Sequence, residues 1–317
     1  MNMKTRFVLL MVASLFAVCA NAAPMAYSVN SDSPNSTDDS LYLIDLATGT
    51  NTQRGKLFNG IEVDGYRTDT EGLAFDKNGT LWGLDDISRT LFPINTLSGS
   101  LSFETEVSLR NPLHFPEGGS NDFGMTFSCD DTLYVTSLSG DTNTLYSLGL
   151  DGSSETIGTL GVNISALAAI GNPTRLYGLG NGQLENGDPD APNLYRISLD
   201  TGAAEIVGPL GNFSYNEAGL AFDSDGNLWA ITDRRKIDSQ PSQILSIDVA
   251  SGAATLVSTT SEVGFESLAI APPTACVAAP LEDDGYRPIP TLGSNGILLT
   301  IFILMFAGMI VLRKRVL

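Results

Sequence analysis

Short apolar segments separated by turns recur along the chain and predict an all-β fold. The segments EGLAFDKNGTLWGLD (Glu71–Asp85) and AGLAFDSDGNLWAIT (Ala218–Thr232) align without a gap. Phe123–Ser137 fits the same frame, and Ser165–Gly180 fits it with one extra turn residue. Each copy contains an apolar strand, a turn rich in Asp, Asn and Gly, and a second strand, which is the pattern of a β-hairpin.

A second repeated segment follows each hairpin and completes a four-stranded unit. It reads LYLIDLATG from Leu41, LFPINTLSG from Leu91, LYSLGLDG from Leu145, LYRISLDTG from Leu194 and ILSIDVASG from Ile244, with a more polar strand after each. Units of four strands and roughly 40 to 50 residues are typical of β-propeller blades.

One aromatic position counts the blades. It is occupied by Tyr27, Trp82, Tyr134, Tyr177 and Trp229, so there are five copies. The first copy lacks an innermost strand, while FESLAIAPP (Phe265–Pro273) supplies one with nothing after it. We therefore predict a five-bladed β-propeller over residues 23–273, with one blade formed from N- and C-terminal strands. The alternatives are a six-bladed ring, and an open solenoid that would expose two unpaired edges.

The aromatic column has two interpretations. A ring of aromatics is typical of carbohydrate stacking, but four of these residues follow a leucine in mid-strand: Leu81, Leu133, Leu176 and Leu228. Because blades pack face to face, we expect these side chains to pack between blades.

Both ends of the chain carry targeting patterns. Lys4 and Arg6, an apolar stretch and an A-x-A site at Ala20–Ala22 predict a signal peptide over residues 1–22. The alternatives are cleavage one residue later and a lipoprotein based on Cys19. At the other end, residues 297–312 are 16 uncharged residues followed by RKR. We predict a transmembrane helix of about 24 Å with its basic end in the cytoplasm, which suits a thin membrane.

The composition limits the function classes. Outside the signal peptide and the terminal RKR there are 12 basic and 36 acidic residues, a net charge of −24. Such a surface disfavours nucleic acid and favours cations. The chain has no G-x-S-x-G, P-loop, H-E-x-x-H or paired C-x-x-C motif. A single histidine, His114, excludes a multi-histidine metal centre.

Two cysteines remain after the predicted signal peptide, Cys129 and Cys276. In an oxidising compartment they have one possible pairing, a disulfide. The alternative is that both are small unpaired residues.

The longest connections all fall on one face of the predicted propeller, where function is usually placed. Their polar and aromatic residues are Asp64, Tyr66, Arg67, Asp69, Asp85, Asp86, Arg89, His114, Glu117, Asp122, Tyr215 and Asp233. Glu71, Glu217 and Glu266 lie where innermost strands begin. We consider Glu71, Glu217, Glu266 and Asp122 as ligands of a hard cation such as calcium, against the alternative of a generally acidic surface.

The segment TEGLAFDKNGTLWGLDD (Thr70–Asp86) resembles gluconolactonase-like and phytase-like propeller esterases. In those families, which generally have six blades, a Glu before the innermost strand ligates a metal. The resemblance implies that role for Glu71 and a metal-dependent hydrolase activity.

The C-terminal 29 residues resemble the IPTL-CTERM sorting signal of Gram-negative bacteria, a relative of PEP-CTERM. The motif is matched by Ile289, Pro290, Thr291 and Leu292, followed by Gly296, with Asn295 where the pattern has Trp. A proline-rich linker, residues 274–288, precedes it. The resemblance implies export through the inner membrane, anchoring, and cleavage by an exosortase-type protease.

These observations favour an exported cell-surface propeller that acts as a binding or matrix-associated module with an unidentified ligand. A metal-dependent propeller hydrolase is the second hypothesis, and a passive envelope protein is the third. None of the sorting residues is expected to be catalytic.

Overall fold

The computed structural model describes residues 23–31, 39–58, 67, 69–102, 105–109, 123–139, 142–180, 192–235, 239–271 and 276. The chain divides into two compact units, Met1–Ala279 and Pro280–Leu317. All described residues belong to the first unit. The predicted signal peptide, the sorting motif and the helix over 297–312 lie outside them. Among the described residues no helix is long and apolar enough to cross a membrane.

In the part of the chain that the structure describes, twenty strands form five antiparallel four-stranded sheets, which confirms the predicted five-bladed propeller. The strands, from the innermost outward, are β20 (Ala269–Ile270), β1 (Met25–Val29), β2 (Ser40–Asp45) and β3 (Asn51–Lys56) in blade 1; β4 (Thr70–Phe75), β5 (Leu81–Asp85), β6 (Thr90–Ile94) and β7 (Val107–Ser108) in blade 2; β8 (Phe123–Phe127), β9 (Leu133–Ser139), β10 (Thr142–Leu148) and β11 (Ser154–Thr159) in blade 3; β12 (Ile164–Ile170), β13 (Arg175–Gly180), β14 (Asn193–Ile197) and β15 (Ala204–Pro209) in blade 4; and β16 (Ala218–Phe222), β17 (Leu228–Thr232), β18 (Gln243–Ile247) and β19 (Ala254–Thr259) in blade 5.

The five innermost strands surround a common axis. Strand β20 contacts β4 and β16, and β8 and β12 complete the ring between them. Each blade repeats the same antiparallel strand order. The five innermost strands therefore all begin at the same end of the axis and end at the other. We call the end where these strands begin the mouth, and the opposite end the tight-turn face.

The closure seam is the place where the C-terminal segment Phe265–Ile270 lies beside β1. Its ladder consists of two residue pairs, Ala26 with Ile270 and Tyr27 with Ala269. Nearer the mouth, side chains replace the ladder. The Ser28 hydroxyl donates to the Ser267 carbonyl over 2.5 Å, and the Val29 N–H donates to the Ser267 hydroxyl over 3.1 Å. The predicted closing strand is therefore shorter than the apolar pattern indicated.

Five clusters of buried apolar residues form the core, one between each pair of neighbouring blades. The aromatic column lies at these interfaces, as expected. Tyr27 meets Phe75 of the next blade edge to face at 5.8 Å between ring centroids, and Tyr177 meets Phe222 at 5.7 Å.

The two tryptophans also fix the hairpin turns of their own blades. Trp82 donates from Nε1 to Asp76 over 3.1 Å, and Trp229 donates to Asp223 over 2.9 Å. The same aspartates accept backbone N–H groups of the turn; for example, the Asn227 N–H donates to Asp223. The Asp of the turn and the Trp of the next strand thus form one unit, because each satisfies the other's buried polar atoms.

Candidate metal centre

Three glutamates meet at the mouth because of where they stand in the repeat. Glu71 is the second residue of β4, Glu217 immediately precedes β16, and Glu266 lies in the closure seam before β20. Glu71 and Glu266 occupy equivalent repeat positions in blades 2 and 1. Phe123, Ser165 and Ala218 occupy that position in the other three blades. Glu217 lies one residue earlier in blade 5, so it reaches the same end of the axis from the neighbouring blade.

One oxygen from each of Glu71, Glu217 and Glu266 lies within 4.8 Å of the others. Three of the four residues predicted as cation ligands are therefore brought together. The fourth, Asp122, lies outside the described residues.

Glu266 is the buried member of the group. It is 3 % exposed, and neither Oε1 nor Oε2 accepts a hydrogen bond. Burial raises the pKa of this carboxyl well above its ordinary value, and the charges of Glu217 and Glu71 raise it further. A carboxylate in this position is costly unless a proton or a cation compensates its charge.

Glu71 and Glu217 are half-buried and are held by their surroundings. Glu71 accepts the backbone N–H of Phe123 in the next blade over 2.7 Å. The backbone carbonyl of Glu217 accepts the N–H of Asp233, and the Asp233 carbonyl accepts the N–H of Asn216, each over 2.8 Å. These bonds fix the segment that enters β16 against the end of β17.

Arg235 contributes a positive charge beside the group. It follows Asp233, whose Oδ1 accepts the Arg235 backbone N–H over 2.9 Å. Burial lowers the pKa of its guanidinium, and the negative charge of Glu266 opposes that shift. Arg235 donates no hydrogen bond to Glu266, since both carboxylate oxygens of Glu266 lack a donor. Arg235 was not among the predicted site residues, although the sequence DRRK places it two residues after Asp233, which directly follows β17.

A second carboxylate group shares Glu71. Oxygens of Asp69, Glu71 and Asp86 also lie within 4.8 Å of one another. Behind them, between blades 1 and 2, Asp39 accepts the N–H of Thr70 over 2.7 Å. Burial, together with the charges of Asp85 and Asp69, raises the pKa of Asp39 to about 7. Asp39 was not among the predicted residues, because nothing in its local sequence indicates that it is buried.

The channel beneath the mouth is narrow and mainly apolar. Leu73, Met125, Leu167, Leu220 and Leu268 line it below the glutamates, and the cavity measures about 10 Å³. That is the space of about one water molecule at most. A second cavity of about 30 Å³ lies further along the axis, so neither space holds more than a few water molecules.

Several other predicted residues have structural contacts. Arg67 is 5 % exposed, pairs with Glu106 over 2.5 Å and lies over the Phe92 ring. Buried Tyr215 donates its hydroxyl to the Gly180 carbonyl over 2.8 Å. The remaining loop residues outside the described part of the chain are Asp64, Tyr66, His114 and Glu117.

Asp85 and Arg89 also shape the connection between β5 and β6. Asp85 accepts the N–H of Asp69 over 3.2 Å and that of Ser88 over 2.7 Å. Arg89 has a positive φ of 52°, and its carbonyl accepts the N–H of Leu109. These contacts set the backbone around the second carboxylate group.

A disulfide joins Cys129 and Cys276, with 5.4 Å between the two Cα atoms. Cys129 lies in the turn between β8 and β9, on the tight-turn face. The segment that follows the closure seam is thereby attached to blade 3, on the face opposite the mouth.

No protein family and no curated protein matches this chain by sequence. Solved structures match by fold. An exo-β-1,3-galactanase assigned in Bifidobacterium bifidum s17 is 16 % identical over 74 % of this chain and 87 % of that one, with a TM-score of 0.51. Virginiamycin B lyase from Staphylococcus aureus, bound to quinupristin, is 15 % identical over 75 % and 71 % (TM-score 0.40), and the calcium-binding protein regucalcin from Agrobacterium tumefaciens is 16 % identical over 80 % and 81 % (TM-score 0.42). At these identities the likeness shows the propeller fold alone.

Proposed function

We propose that this chain is an exported cell-surface β-propeller that binds its ligand at the mouth. The observation that carries the proposal is the group Glu71, Glu217 and Glu266, whose buried member has two carboxylate oxygens without a hydrogen-bond donor. Unsatisfied buried charge is retained at functional sites more readily than in a structural core.

The position of the disulfide supports this orientation. Cys276 is bound to Cys129 on the tight-turn face, so this bond lies on the side of the propeller away from the mouth and does not obstruct it.

The C-terminal sorting signal supplies the route to the surface in this proposal. Ile289–Leu292 and Gly296 are the residues that an exosortase-type protease would recognise, and residues 297–312 would hold the precursor in the membrane. The acidic exported region, with its net charge of −24, suits a soluble surface module.

The export proposal is tested by expressing the full chain in a Gram-negative host with an exosortase and in the same host without it. We expect protease added to whole cells to digest the propeller, and intact mass to show a new end near Ile289–Gly296 in the first host only. Thr291→Ala should accumulate the precursor. A product ending at Leu317 in both hosts would reduce the signal to an ordinary anchor.

The binding part is tested by pull-down with envelope polysaccharide from the same host. Glu266→Gln at the mouth should lower retention of the mature protein several-fold, while Glu155→Gln, on an exposed outer strand, should leave it unchanged. Equal retention of the two variants would remove the mouth as the binding end.

A metal-dependent hydrolase is the second candidate, because Glu71 stands at the mouth beside two further carboxylates. It requires turnover that depends on a divalent cation. Lactone, carboxyl-ester and phosphomonoester substrates should be hydrolysed with calcium and not with EDTA, and Glu71→Gln should abolish the activity. Equal rates with and without the cation would exclude this candidate.

A further inference from the structure

We propose that Glu71, Glu217 and Glu266 bind one divalent cation of the calcium type, which joins blades 5, 1 and 2 across the closure seam. Its biological role rests on the proposed function, since the cation would lie where the ligand binds. Its chemistry can be tested without that function.

The spacing of the three carboxylates lies within the limit that a shared calcium ion sets. Calcium takes oxygen ligands at about 2.3 to 2.6 Å. Two oxygens bound to the same ion can therefore be no more than about 4.8 Å apart when each bond is near 2.4 Å. The three glutamate oxygens all meet this limit.

The burial of Glu266 is an observation separate from the clustering. Acidic groups are common on a surface as acidic as this one, but Glu266 is 3 % exposed and neither oxygen is hydrogen-bonded. A buried carboxylate that only supported the fold would be expected to accept N–H or O–H groups. One of its oxygens lies within 4.8 Å of the Glu71 and Glu217 oxygens with which it would share an ion.

Arg235 alone does not neutralise the group. When all three carboxyl groups are ionised they carry three negative charges, and among the described residues the Arg235 guanidinium supplies one positive charge without donating to Glu266. A divalent cation would compensate the remaining charge. The competing arrangement is a proton shared between Glu266 and Glu217, which leaves no place for a metal.

The position of the three residues gives the cation a structural consequence. Glu266 belongs to the closure seam, Glu71 to blade 2 on one side and Glu217 to blade 5 on the other. The seam ladder itself has only two residue pairs. A cation bound by all three would tie the C-terminal segment to both neighbouring blades at the mouth.

The ligand chemistry selects among cations. The group contains carboxylates alone, which disfavours zinc, because zinc prefers nitrogen and sulfur ligands at shorter distances. Magnesium requires near-octahedral geometry at about 2.0 to 2.1 Å and retains several waters. Calcium accepts an irregular set of carboxylates and completes its shell with water or ligand oxygens.

The test is calorimetric titration of the purified full chain, freed of metal with EDTA and dialysed, with calcium chloride and then magnesium chloride. We expect one calcium site per chain and at least tenfold weaker binding of magnesium. Calcium at 100 times its Kd should raise Tm by about 5 to 10 °C. Glu266→Gln should abolish both effects, and Glu155→Gln should preserve them.

The Tm of Glu266→Gln without cation also distinguishes a metal ligand from a carboxylate that only supports the fold. Because it removes a buried charge, it should raise the Tm of the cation-free protein. If this variant does not fold, Glu217→Gln provides the same comparison.

No calcium binding in the wild type, or binding that both mouth variants retain, overturns the proposal. A surface-exposed chain that binds no calcium would overturn the site and leave the proposed function. A chain that binds calcium but never reaches the surface would keep the cation site and overturn the proposed function.

Discussion

The carboxylate of Glu71 accepts a hydrogen bond from the backbone N–H of Phe123, with 2.7 Å between the two atoms. This contact joins blade 2 to the first residue of the innermost strand of blade 3. Glu71 therefore has a structural task and, through its place in the group at the mouth, a candidate ligand role.

The two roles of Glu71 can be separated by substitution. Glu71→Gln keeps an oxygen for the Phe123 N–H, so we expect little change in the free energy of unfolding but weaker calcium binding. Glu71→Ala leaves that N–H without its acceptor and should cost about 1 to 3 kcal/mol. Denaturant unfolding with EDTA, compared with calorimetry, measures both. Equal destabilisation by Gln and Ala would contradict the assignment.

The disulfide between Cys129 and Cys276 is expected to stabilise the closed ring. It spans 147 residues, and chain entropy alone gives an upper figure of about 5 kcal/mol for a loop of that size. Reduction should lower the free energy of unfolding of the wild type by several kcal/mol, as measured in guanidinium. The double variant Cys129→Ser, Cys276→Ser should have the free energy of unfolding of the reduced wild type, and reductant should not change it. A wild type indifferent to reductant would show that the closure does not need this bond.

Asp39 gives the protein a pH-dependent stability of predictable sign. Its pKa rises from 3.8 to about 7 because it is buried near Asp85 and Asp69. The folded state thus holds the proton more tightly than the unfolded chain. The contribution of Asp39 to stability is fully present below pH 3.8 and is lost as the pH rises through about 7.

Asp39→Asn should remove this loss, because Asn keeps an acceptor for the Thr70 N–H. At pH 8 with EDTA we expect the variant to have a higher Tm than the wild type. Its free energy of unfolding should be larger by at most about 4 kcal/mol, and this difference should vanish near pH 4. Asp151→Asn is the control of opposite sign. Ser153 donates to Asp151 and lowers its pKa, so this variant should lose stability at neutral pH. If the free energy of unfolding of the wild type rose relative to that of Asp39→Asn between pH 5 and 8, this assignment would be contradicted.

Glycine in the outermost strands sets the approach of neighbouring blades. A Cβ added to Gly208 in β15 would lie 2.0 Å from the carbonyl oxygen of Ser251 in the next blade. Gly55 and Gly158 make the same approach to Ser98 and Thr201. Gly208→Ala should therefore cost about 1 to 3 kcal/mol, since the backbones must separate.

The interface between blades 5 and 1 provides the control for this prediction. There Ser258 takes the place of the glycine, and its hydroxyl donates to the Leu46 carbonyl over 2.8 Å. Ser258→Ala loses only that bond, so about 1 kcal/mol is expected in the same denaturant titration. A Gly208→Ala variant as stable as the wild type would mean that this spacing is not fixed by glycine.

Much of the fold could be predicted because each repeat is recognisable from residues close together in the sequence. Asp-rich turns between apolar strands gave the hairpins, and the column from Tyr27 to Trp229 gave the number of blades. The unpaired strands at the two ends then gave the closure. The short closing ladder was not predictable, since Ser28 and Ser267 become partners only when the ring closes.

The site was predictable only in part. Glu71, Glu217 and Glu266 could be placed at the mouth because the repeat frame fixes where innermost strands begin. Their distances, the missing donors around Glu266 and the approach of Arg235 depend on how blades 5, 1 and 2 are brought together. Residues far apart in sequence determine these features, and no local pattern records them. The burial of Asp39 could not be predicted for the same reason.

The most direct measurement is a pair of crystal structures, one grown with calcium and one with EDTA, using anomalous scattering to locate the metal. We expect one calcium peak at the mouth, bound by oxygens of Glu71, Glu217 and Glu266 at about 2.3 to 2.6 Å, and no peak in the EDTA crystal. No peak in either crystal, with Glu266 sharing a proton with Glu217 or bonded directly to Arg235, would contradict it.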